Sequence, residues 1–170
     1  QTAVPLLPRP VLGGVIPLYS PCPSNYVTWY KNCYRLVSEP KTWEEAEAAC
    51  VKEGGHLASV DMSYDQAFIS GAIQQGNTDA WIGLSVPSCL HRYGWSDGWP
   101  VFYTHWGPGE PTNHKGEGCV SMHGRSHFIQ GTWNDTACES IVQLLCLMCP
   151  SPFLSEVLLD QLHVLSDPQC

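Results

Sequence analysis

Basic residues are scarce in this chain of 170 residues. Lysine and arginine together number 8, against 16 aspartate and glutamate residues, and the formal net charge is -8. Proteins that bind nucleic acids concentrate lysine and arginine on one face to neutralise phosphates, so a nucleic-acid partner is not expected. Runs of about 18 apolar residues are also absent, and we therefore predict no membrane insertion of this chain.

Catalytic motifs are missing as well. The sequence contains no HExxH, no phosphate-binding loop, no nucleophile elbow and no convincing acid–base pair, so no catalytic residue and no enzyme is predicted. Histidines occur in the second half of the chain, but none has a zinc-ligand spacing with a pair of cysteines. We interpret these histidines as surface residues, and they are His105, His114, His123 and His127.

Cysteine, in contrast, is abundant, with nine residues. This density in a short chain indicates an oxidising compartment and a disulfide framework, which predicts an extracellular location. Because nine is an odd number, one thiol is free, bonded to another chain, or outside the framework. The sequence also has seven tryptophans and 44% hydrophobic residues, which suffice for the single core expected at this length.

Composition divides the chain into three parts. Residues 1–20 contain four prolines and are typical of an extended lead-in. Residues 21–147 alternate between periodic and turn-rich segments and form the predicted domain. Residues 148–170 form a tail, in which apolar residues at helical spacing are typical of a short helix; these are Leu154, Val157, Leu158, Leu162 and Leu165.

Two helices and several strands are predicted within the domain. Thr42 and Glu45 have the spacing of a capping box, and apolar residues at helical spacing follow until Gly54-Gly55. A second helical pattern covers Ser63 to Ile73. The strongest strand patterns are Trp81–Leu84, Cys119–Met122 and Ile141–Leu147. The segment from Ser85 to His114 has no period and is rich in Gly, Pro and Trp, which is typical of a long functional loop.

Oxygen-bearing side chains concentrate in two stretches near Cys119 and Cys138. Glu110 and Glu117 precede Cys119, and Asn134-Asp135 precede Cys138. If these cysteines are bonded, the two stretches lie side by side. Carboxylate and amide oxygens are the ligands that calcium prefers, so the pattern suggests a calcium site.

Short motifs with cysteine, tryptophan and glycine recur along the whole domain. In chain order they are Cys22, Asn32-Cys33-Tyr34, Trp43, Ala46, Cys50, Gly54-Gly55-His56-Leu57, Trp81-Ile82-Gly83-Leu84, Trp95, Asp97-Gly98, Gly109-Glu110-Pro111, Cys119, Trp133-Asn134-Asp135, Cys138 and Cys146. In this order and at these spacings they resemble the C-type lectin-like domain in its long form. The resemblance extends from about Pro21 to Leu147 and is nearest to the mannose receptor type.

The resemblance implies an α+β fold with two helices, two small antiparallel sheets and a long ligand-binding loop. It also implies three disulfides, which sequence alone could not choose among the many pairings. They are Cys22 with Cys33, Cys50 with Cys146, and Cys119 with Cys138. Three cysteines are left over, and a bond between Cys149 and Cys170 that leaves Cys89 unpaired is a further hypothesis.

The resemblance implies a single calcium site at which the vicinal hydroxyls of a sugar complete the metal shell. Its metal ligands are Glu110, Glu117, Asn134 and Asp135, and Glu110-Pro111 indicates mannose-type sugars and a cis peptide. Thr112 replaces the family's asparagine, which weakens the site because a hydroxyl is shorter and lacks the amide donor. Asn113 is the neighbouring candidate ligand-binding residue. No auxiliary calcium is expected, because Ser85 to Arg92 contains no acid and Gly118 stands where relatives have one.

Two functions are therefore compatible with the sequence. The first is a calcium-dependent, mannose-type carbohydrate-binding module, secreted or part of a receptor ectodomain. The alternative is a lectin-like domain that binds a protein partner without sugar or calcium. Asn134-Asp135-Thr136 is also an N-glycosylation sequon, and a glycan on Asn134 would remove a metal ligand. Three loop tryptophans are interpreted as loop core rather than a sugar platform: Trp95, Trp99 and Trp106.

Overall fold

The computed structural model describes residues 22–73, 76–86 and 92–149. The predicted lead-in, nearly all of the tail, Cys89 and the pairing of Cys149 with Cys170 lie outside the described residues. Two helices are present, α1 (Trp43–Lys52) and α2 (Ser63–Ile73). The strands are β1 (Val27–Trp29), β2 (Asn32–Lys41), β3 (His56–Leu57), β4 (Ala80–Ser85), β5 (Gly94–Trp95), β6 (Glu117–Met122), β7 (Trp133–Ala137) and β8 (Val142–Met148).

Helix α1 begins at the predicted capping box. The backbone N–H of Glu45 donates to Thr42 Oγ1 at 3.3 Å, and the N–H of Thr42 donates to the Glu45 carboxylate at 3.2 Å. These bonds satisfy two N–H groups that have no partner inside the helix. The helix buries Ala46 and Cys50, and it ends before Gly54, whose φ of 89° is favourable only for glycine. The prediction for this helix is confirmed.

The strands join into one network in the order β1-β2-β8-β4-β6-β7, with β3 on β8 and β5 on β4. Two separate antiparallel sheets were expected, and all pairs except β4–β8 are antiparallel. A short parallel pairing joins the two parts, with Trp81 opposite Leu144. Both side chains are fully buried in the same cluster, so burying them together brings β4 beside β8.

Three disulfides link the described elements, and they are the pairings that the resemblance implies. Cys22–Cys33 closes the first hairpin, Cys50–Cys146 joins α1 to β8, and Cys119–Cys138 joins β6 to the end of β7. The second bridge is surrounded by buried apolar side chains, and its two cysteines are separated by 96 positions in the sequence. The third bridge holds together the two oxygen-rich stretches.

Buried Gln66 on α2 ties this helix to strand β7. Its amide Nε2 donates to the carbonyl of Gly131 at 2.7 Å, and its Oε1 accepts from Trp133 Nε1 at 2.9 Å. Trp133 is fully buried in the main core. The helix therefore supports β7 from the interior of the domain.

The long loop is packed against the core through its aromatic residues. Trp95 is 5% exposed and meets Trp133 edge-on, while Trp99 and Trp106 are half-buried against the same cluster. The interpretation of these tryptophans as loop core is confirmed. The surface interpretation is wrong for His123, which is 8% exposed. His123 Nδ1 lies 3.0 Å from an oxygen of Asp79, and the carboxylate compensates for burying the ring.

Candidate ligand-binding site

The loop that carries Glu110 begins beside the first residue of strand β7. The backbone N–H of Trp133 donates to the carbonyl of His105 at 2.8 Å, and the N–H of Gly107 donates to the carbonyl of Trp133 at 2.9 Å. The two residues after Trp133 are Asn134 and Asp135, so the loop starts beside the second oxygen-rich stretch. The Glu110–Pro111 peptide that follows is cis, as the resemblance predicts.

Asp135 is the centre of the site and is only 2% exposed. Its Oδ1 accepts from the backbone N–H of Thr112 at 2.9 Å, and its Oδ2 accepts from the N–H of Asn113 at 2.7 Å. Burial alone would raise the pKa of this carboxyl. The donors from Thr112 and Asn113 outweigh burial, and the pKa of Asp135 lies below its usual value.

Thr112 connects the two sides of the site through its hydroxyl. Thr112 Oγ1 donates to Glu117 Oε2 at 2.6 Å and lies 3.4 Å from Asp135 Oδ1. The backbone N–H of His114 also donates to Glu117 Oε2, at 3.3 Å. The residue that replaces the family's asparagine therefore joins a glutamate of the loop to the aspartate of β7.

Glu110 has the least favourable surroundings in the site. Its Oε2 atom is buried and receives no hydrogen bond from the described residues. Burial and the adjacent Asp135 carboxylate raise the pKa of Glu110. Two carboxylates in contact are stable only when they share a proton or a cation, since like charges repel. Glu110 and Asp135 are linked by a side-chain hydrogen bond, and among the described residues neither carboxylate has an ion pair with a basic side chain.

The structure brings together five of the six sequence-predicted site residues: Glu110, Thr112, Asn113, Glu117 and Asp135. The sixth, Asn134, lies next to Asp135 in β7 and is half-buried. No hydrogen bond joins its side chain to the loop among the described residues. An open cavity of about 500 Å³ adjoins the site and is lined in part by Arg92, Asn113 and Glu117.

Sequence reasoning missed Tyr93, which comes from the far side of the long loop. Its hydroxyl donates toward Asp135 Oδ2 at 3.1 Å and lies 3.3 Å from Asn113 Oδ1. Burial and the hydrogen bond to Asp135 raise the pKa of Tyr93, so the hydroxyl remains a protonated donor near neutral pH. Its position inside an aromatic-rich loop was the only sequence signal, and it did not link Tyr93 to the acids.

The donor chemistry of the site is that of a hard cation. Within residues 22–73, 76–86 and 92–149, no group of three or more His, Cys, Asp or Glu side chains is arranged to hold a metal ion. A cation held by Glu110, Glu117 and Asp135 would therefore require these side chains to move from their positions in this structure, with neutral oxygens, which calcium accepts readily, completing the shell. The buried, unpaired oxygen of Glu110 against Asp135 fits such an ion.

A disulfide-linked α+β domain that presents a polar loop on a fixed strand is a ligand-binding module. The family model for the C-type lectin domain matches residues 39–148. The chain belongs to the C-type lectin domain family, whose members are carbohydrate-binding and other non-enzymatic binding proteins. Membership of this family gives the domain a binding role rather than a catalytic one.

Known sequences agree with this assignment. The chain is 35% identical over 127 residues to human C-type mannose receptor 2, covering 74% of this chain and 8% of the receptor. It is also 33% identical over 131 residues to a C-type lectin mannose-binding isoform from Oxyuranus scutellatus, covering 74% of this chain and 82% of that lectin. The chain therefore spans a small part of the receptor and most of the lectin.

Solved structures of the same fold include a carbohydrate-recognition domain and an antifreeze protein. The carbohydrate-recognition domain of cow CD23, solved in the presence of a GlcNAc2Man3 oligosaccharide, has a TM-score of 0.68 and 31% identity, covering 77% of this chain and 98% of that one. A calcium-independent type II antifreeze protein has a TM-score of 0.69 and 28% identity, covering 76% and 95%. Neither described helix has the length and apolar character that crossing a bilayer requires.

Proposed function

We propose that this domain binds mannose-type carbohydrates through a calcium ion held by Glu110, Glu117, Asn134 and Asp135. When bound, calcium would supply the positive charge of the site and accept the vicinal hydroxyls of the sugar. Asn113, at the edge of the same loop, and Thr112 would contact the ligand. We also propose an extracellular location, secreted or within a receptor ectodomain, because the domain depends on three disulfides.

The observation that carries this proposal is the contact between Glu110 and Asp135. A carboxylate oxygen that is buried without a donor costs on the order of 1 to 3 kcal/mol, and at Glu110 this cost is added to the proximity of a second carboxylate. A divalent cation would remove both the repulsion and the unpaired oxygen. Each donor in the proposed set is a hard oxygen, which favours calcium over softer metals.

Thr112 sets the expected strength of the site. Its hydroxyl donates to Glu117 Oε2, and a cation would compete with this hydrogen bond for the same carboxylate. Extracellular calcium modules bind at roughly 0.1 to 1 mM. The loss of one ligand costs on the order of 1 to 3 kcal/mol, and about 1.4 kcal/mol corresponds to tenfold in affinity. We expect a dissociation constant in the millimolar range.

Thermal unfolding with calcium against a chelator tests the proposal. Because calcium binds only the folded loop, 10 mM calcium (a concentration about ten times the dissociation constant) should stabilise the domain by about 1.4 kcal/mol. Retention on immobilised mannose should require calcium and be reversed by chelator. An identical melting temperature in both solutions, with no retention on mannose, would remove calcium-dependent sugar binding as the function.

A second candidate function is recognition of a protein without metal. The observation in its favour is that both oxygens of Asp135 already accept backbone N–H donors, and Glu117 already accepts from Thr112. A loop closed by its own hydrogen bonds presents a defined surface without an ion. The likeness to a calcium-independent antifreeze protein supports this candidate. Amide exchange of the loop that is equally slow with calcium and with chelator would favour it.

Glycosylation of Asn134 is a competing use of the same residue. The sequon lies on half-buried positions of β7, beside the buried Trp133 and Asp135. A glycan there would take the amide out of the proposed metal shell. Intact mass measurement of the protein secreted from a glycosylating host tests this, with Asn134→Gln as the control that cannot carry the glycan.

A further inference from the structure

We propose that Tyr93 is a positioning residue of the site, whose hydroxyl holds Asp135 and the 110–117 loop in their binding geometry before any ligand arrives. The inference rests on the proposed function in so far as that loop is the binding surface. The positioning itself does not depend on the identity of the ligand.

The contacts of the Tyr93 hydroxyl join two parts of the site that are distant in sequence. The oxygen lies 3.1 Å from Asp135 Oδ2 in β7 and 3.3 Å from Asn113 Oδ1 in the loop. The amide of Asn113 is oriented by its own bond, in which Nδ2 donates to the carbonyl of Pro111 at 3.2 Å. Its Oδ1 is therefore turned toward the tyrosine, whose single hydroxyl proton is shared between an acceptor of the strand and an acceptor of the loop.

The ring of Tyr93 is held independently of the loop that it organises. It packs against Trp106 with ring centroids 5.0 Å apart, and Trp106 meets the buried Trp133 edge-on at 5.8 Å. Aromatic pairs of this kind add to the stabilisation that burial provides. The hydroxyl is thus placed by the core, whereas the other donors to Asp135 come from the backbone of the loop.

Tyr93 differs from the other donors to Asp135 because the core, and not the 110–117 loop, fixes its position. Asp135 faces the Glu110 carboxylate, and the repulsion between them favours displacement of the Asp135 side chain. When residues 110–117 move, only a donor that is fixed outside this segment can oppose that displacement. Without the hydroxyl, Asp135 and the backbone of Thr112 and Asn113 would move together.

The Tyr93→Phe variant tests the inference, with Tyr103→Phe as the matched control. Tyr103 belongs to the same long loop and packs directly on Trp133, but its hydroxyl lies near His105 rather than Asp135. Amide hydrogen exchange of Thr112 and Asn113 is measured in chelator, together with the melting temperature of each variant. Calcium affinity is then measured by titration.

Removal of one hydrogen bond to a charged acceptor should speed exchange at Thr112 and Asn113 by on the order of tenfold in Tyr93→Phe. Exchange in the core strands should be unchanged, and Tyr103→Phe should exchange like the wild type. Calcium affinity should fall on the order of tenfold in Tyr93→Phe only. Unchanged exchange in Tyr93→Phe, or equal acceleration in both variants, would overturn the inference. If the wild type binds no calcium, the proposed function fails, and the exchange result still decides the role of Tyr93.

Discussion

Two glutamates in different regions of this domain have opposite surroundings. Glu53, directly after α1, accepts two hydrogen bonds from Arg35 Nη1, at 2.7 and 2.8 Å, and a third from the hydroxyl of Tyr26. Glu110, in the long loop, faces Asp135 and has a buried oxygen without a donor. The hydrogen bond from Tyr26 helps lower the pKa of Glu53, whereas burial raises the pKa of Glu110.

This contrast separates scaffold from site. At Glu53 the carboxylate is matched by a cation and by a hydroxyl donor, so this position gains nothing from an added ion. In the loop, acids are placed next to each other, so the loop has an excess of negative charge that a ligand can neutralise. The four predictions below test the contrast, beginning with the largest effect.

Loss of the scaffold disulfide should have the largest effect on folding. The double variant Cys50→Ala, Cys146→Ala opens a loop with 96 residues of separation, for which chain entropy predicts a loss of about 4.7 kcal/mol. The pair Cys119→Ala, Cys138→Ala opens a separation of 19 residues and should cost about 3.2 kcal/mol. Denaturant unfolding measures both. Only the second pair joins the site strands, so only that pair should weaken ligand binding at temperatures where both variants are folded.

The Thr112→Asn variant should strengthen the site. An asparagine carbonyl can reach a cation and its amide can donate to a sugar hydroxyl, so calcium and mannose affinity should each rise on the order of tenfold. Calorimetric titration measures both. Thr112→Val is the matched control, because it removes the hydroxyl without adding a carbonyl, and it should not tighten binding. Unchanged affinity in Thr112→Asn would mean that this loop is not the calcium site.

Neutralising the two glutamates should change stability in opposite directions when measured in chelator. Glu110→Gln removes a charge that faces Asp135 and adds an amide donor, so the free energy of unfolding should rise by about 1 kcal/mol. Glu53→Gln removes an ion pair that is largely exposed to solvent, and it should lower that free energy by less than about 1 kcal/mol. If both variants lose stability equally, Glu110 is balanced by a positive charge as Glu53 is, and the contrast between the two glutamates is wrong.

The pH dependence of stability gives the smallest and most specific test. A carboxyl whose folded pKa is raised binds its proton more tightly in the folded state, so its stabilising contribution is present below the unfolded pKa and is lost as pH rises through the folded value. For Glu110 this window begins near the ordinary value of 4.5 and extends upward. In chelator, the wild type should therefore gain stability on acidification toward that value, relative to Glu110→Gln.

Two other acids must be separated from Glu110 in this measurement. Burial raises the pKa of Asp61 to about 6, so Asp61 also stabilises the fold more at lower pH. The stability curves of the wild type and of Glu110→Gln share this contribution. The lowered pKa of Asp135 gives stability that is present above its unfolded value and lost as pH falls further, which acts in a more acidic window. The difference between wild type and Glu110→Gln removes the Asp61 contribution and reports the coupled pair of Glu110 and Asp135. If the stability of the wild type and of Glu110→Gln changes with pH in parallel, the pKa of Glu110 is not raised.

Much of the fold could be predicted because its signals are local or repeated. The capping box of Thr42 and Glu45 is satisfied within one helical turn, and the order of cysteine and tryptophan motifs is specific to the family. The joining of the two antiparallel parts could not be predicted. It depends on Trp81 and Leu144 meeting in the core, and neither strand's own pattern contains that contact.

In the candidate site, too, features with a local sequence signal could be predicted and features that depend on tertiary contacts could not. The proximity of the acids could be predicted, because they lie in short oxygen-rich stretches beside two cysteines that are bonded to each other. Their mutual arrangement could not, since Asp135 turned toward the backbone of Thr112 and Asn113 rather than standing as a free carboxylate. Tyr93 was missed because its role arises from the path of an aperiodic loop. His123 was misassigned because its partner, Asp79, lies 44 residues away in sequence, just before β4.

The amide of Gln66 has a consequence for reuse of this domain as a recognition scaffold. It holds Trp133 and Gly131 from the interior, so the strand that carries Asp135 is anchored by a helix that takes no part in the site. A library that varies positions 112–116 would therefore change the presented surface without releasing its support. The same anchoring limits such a library, because selection for new ligands must leave Gln66 and Trp133 intact.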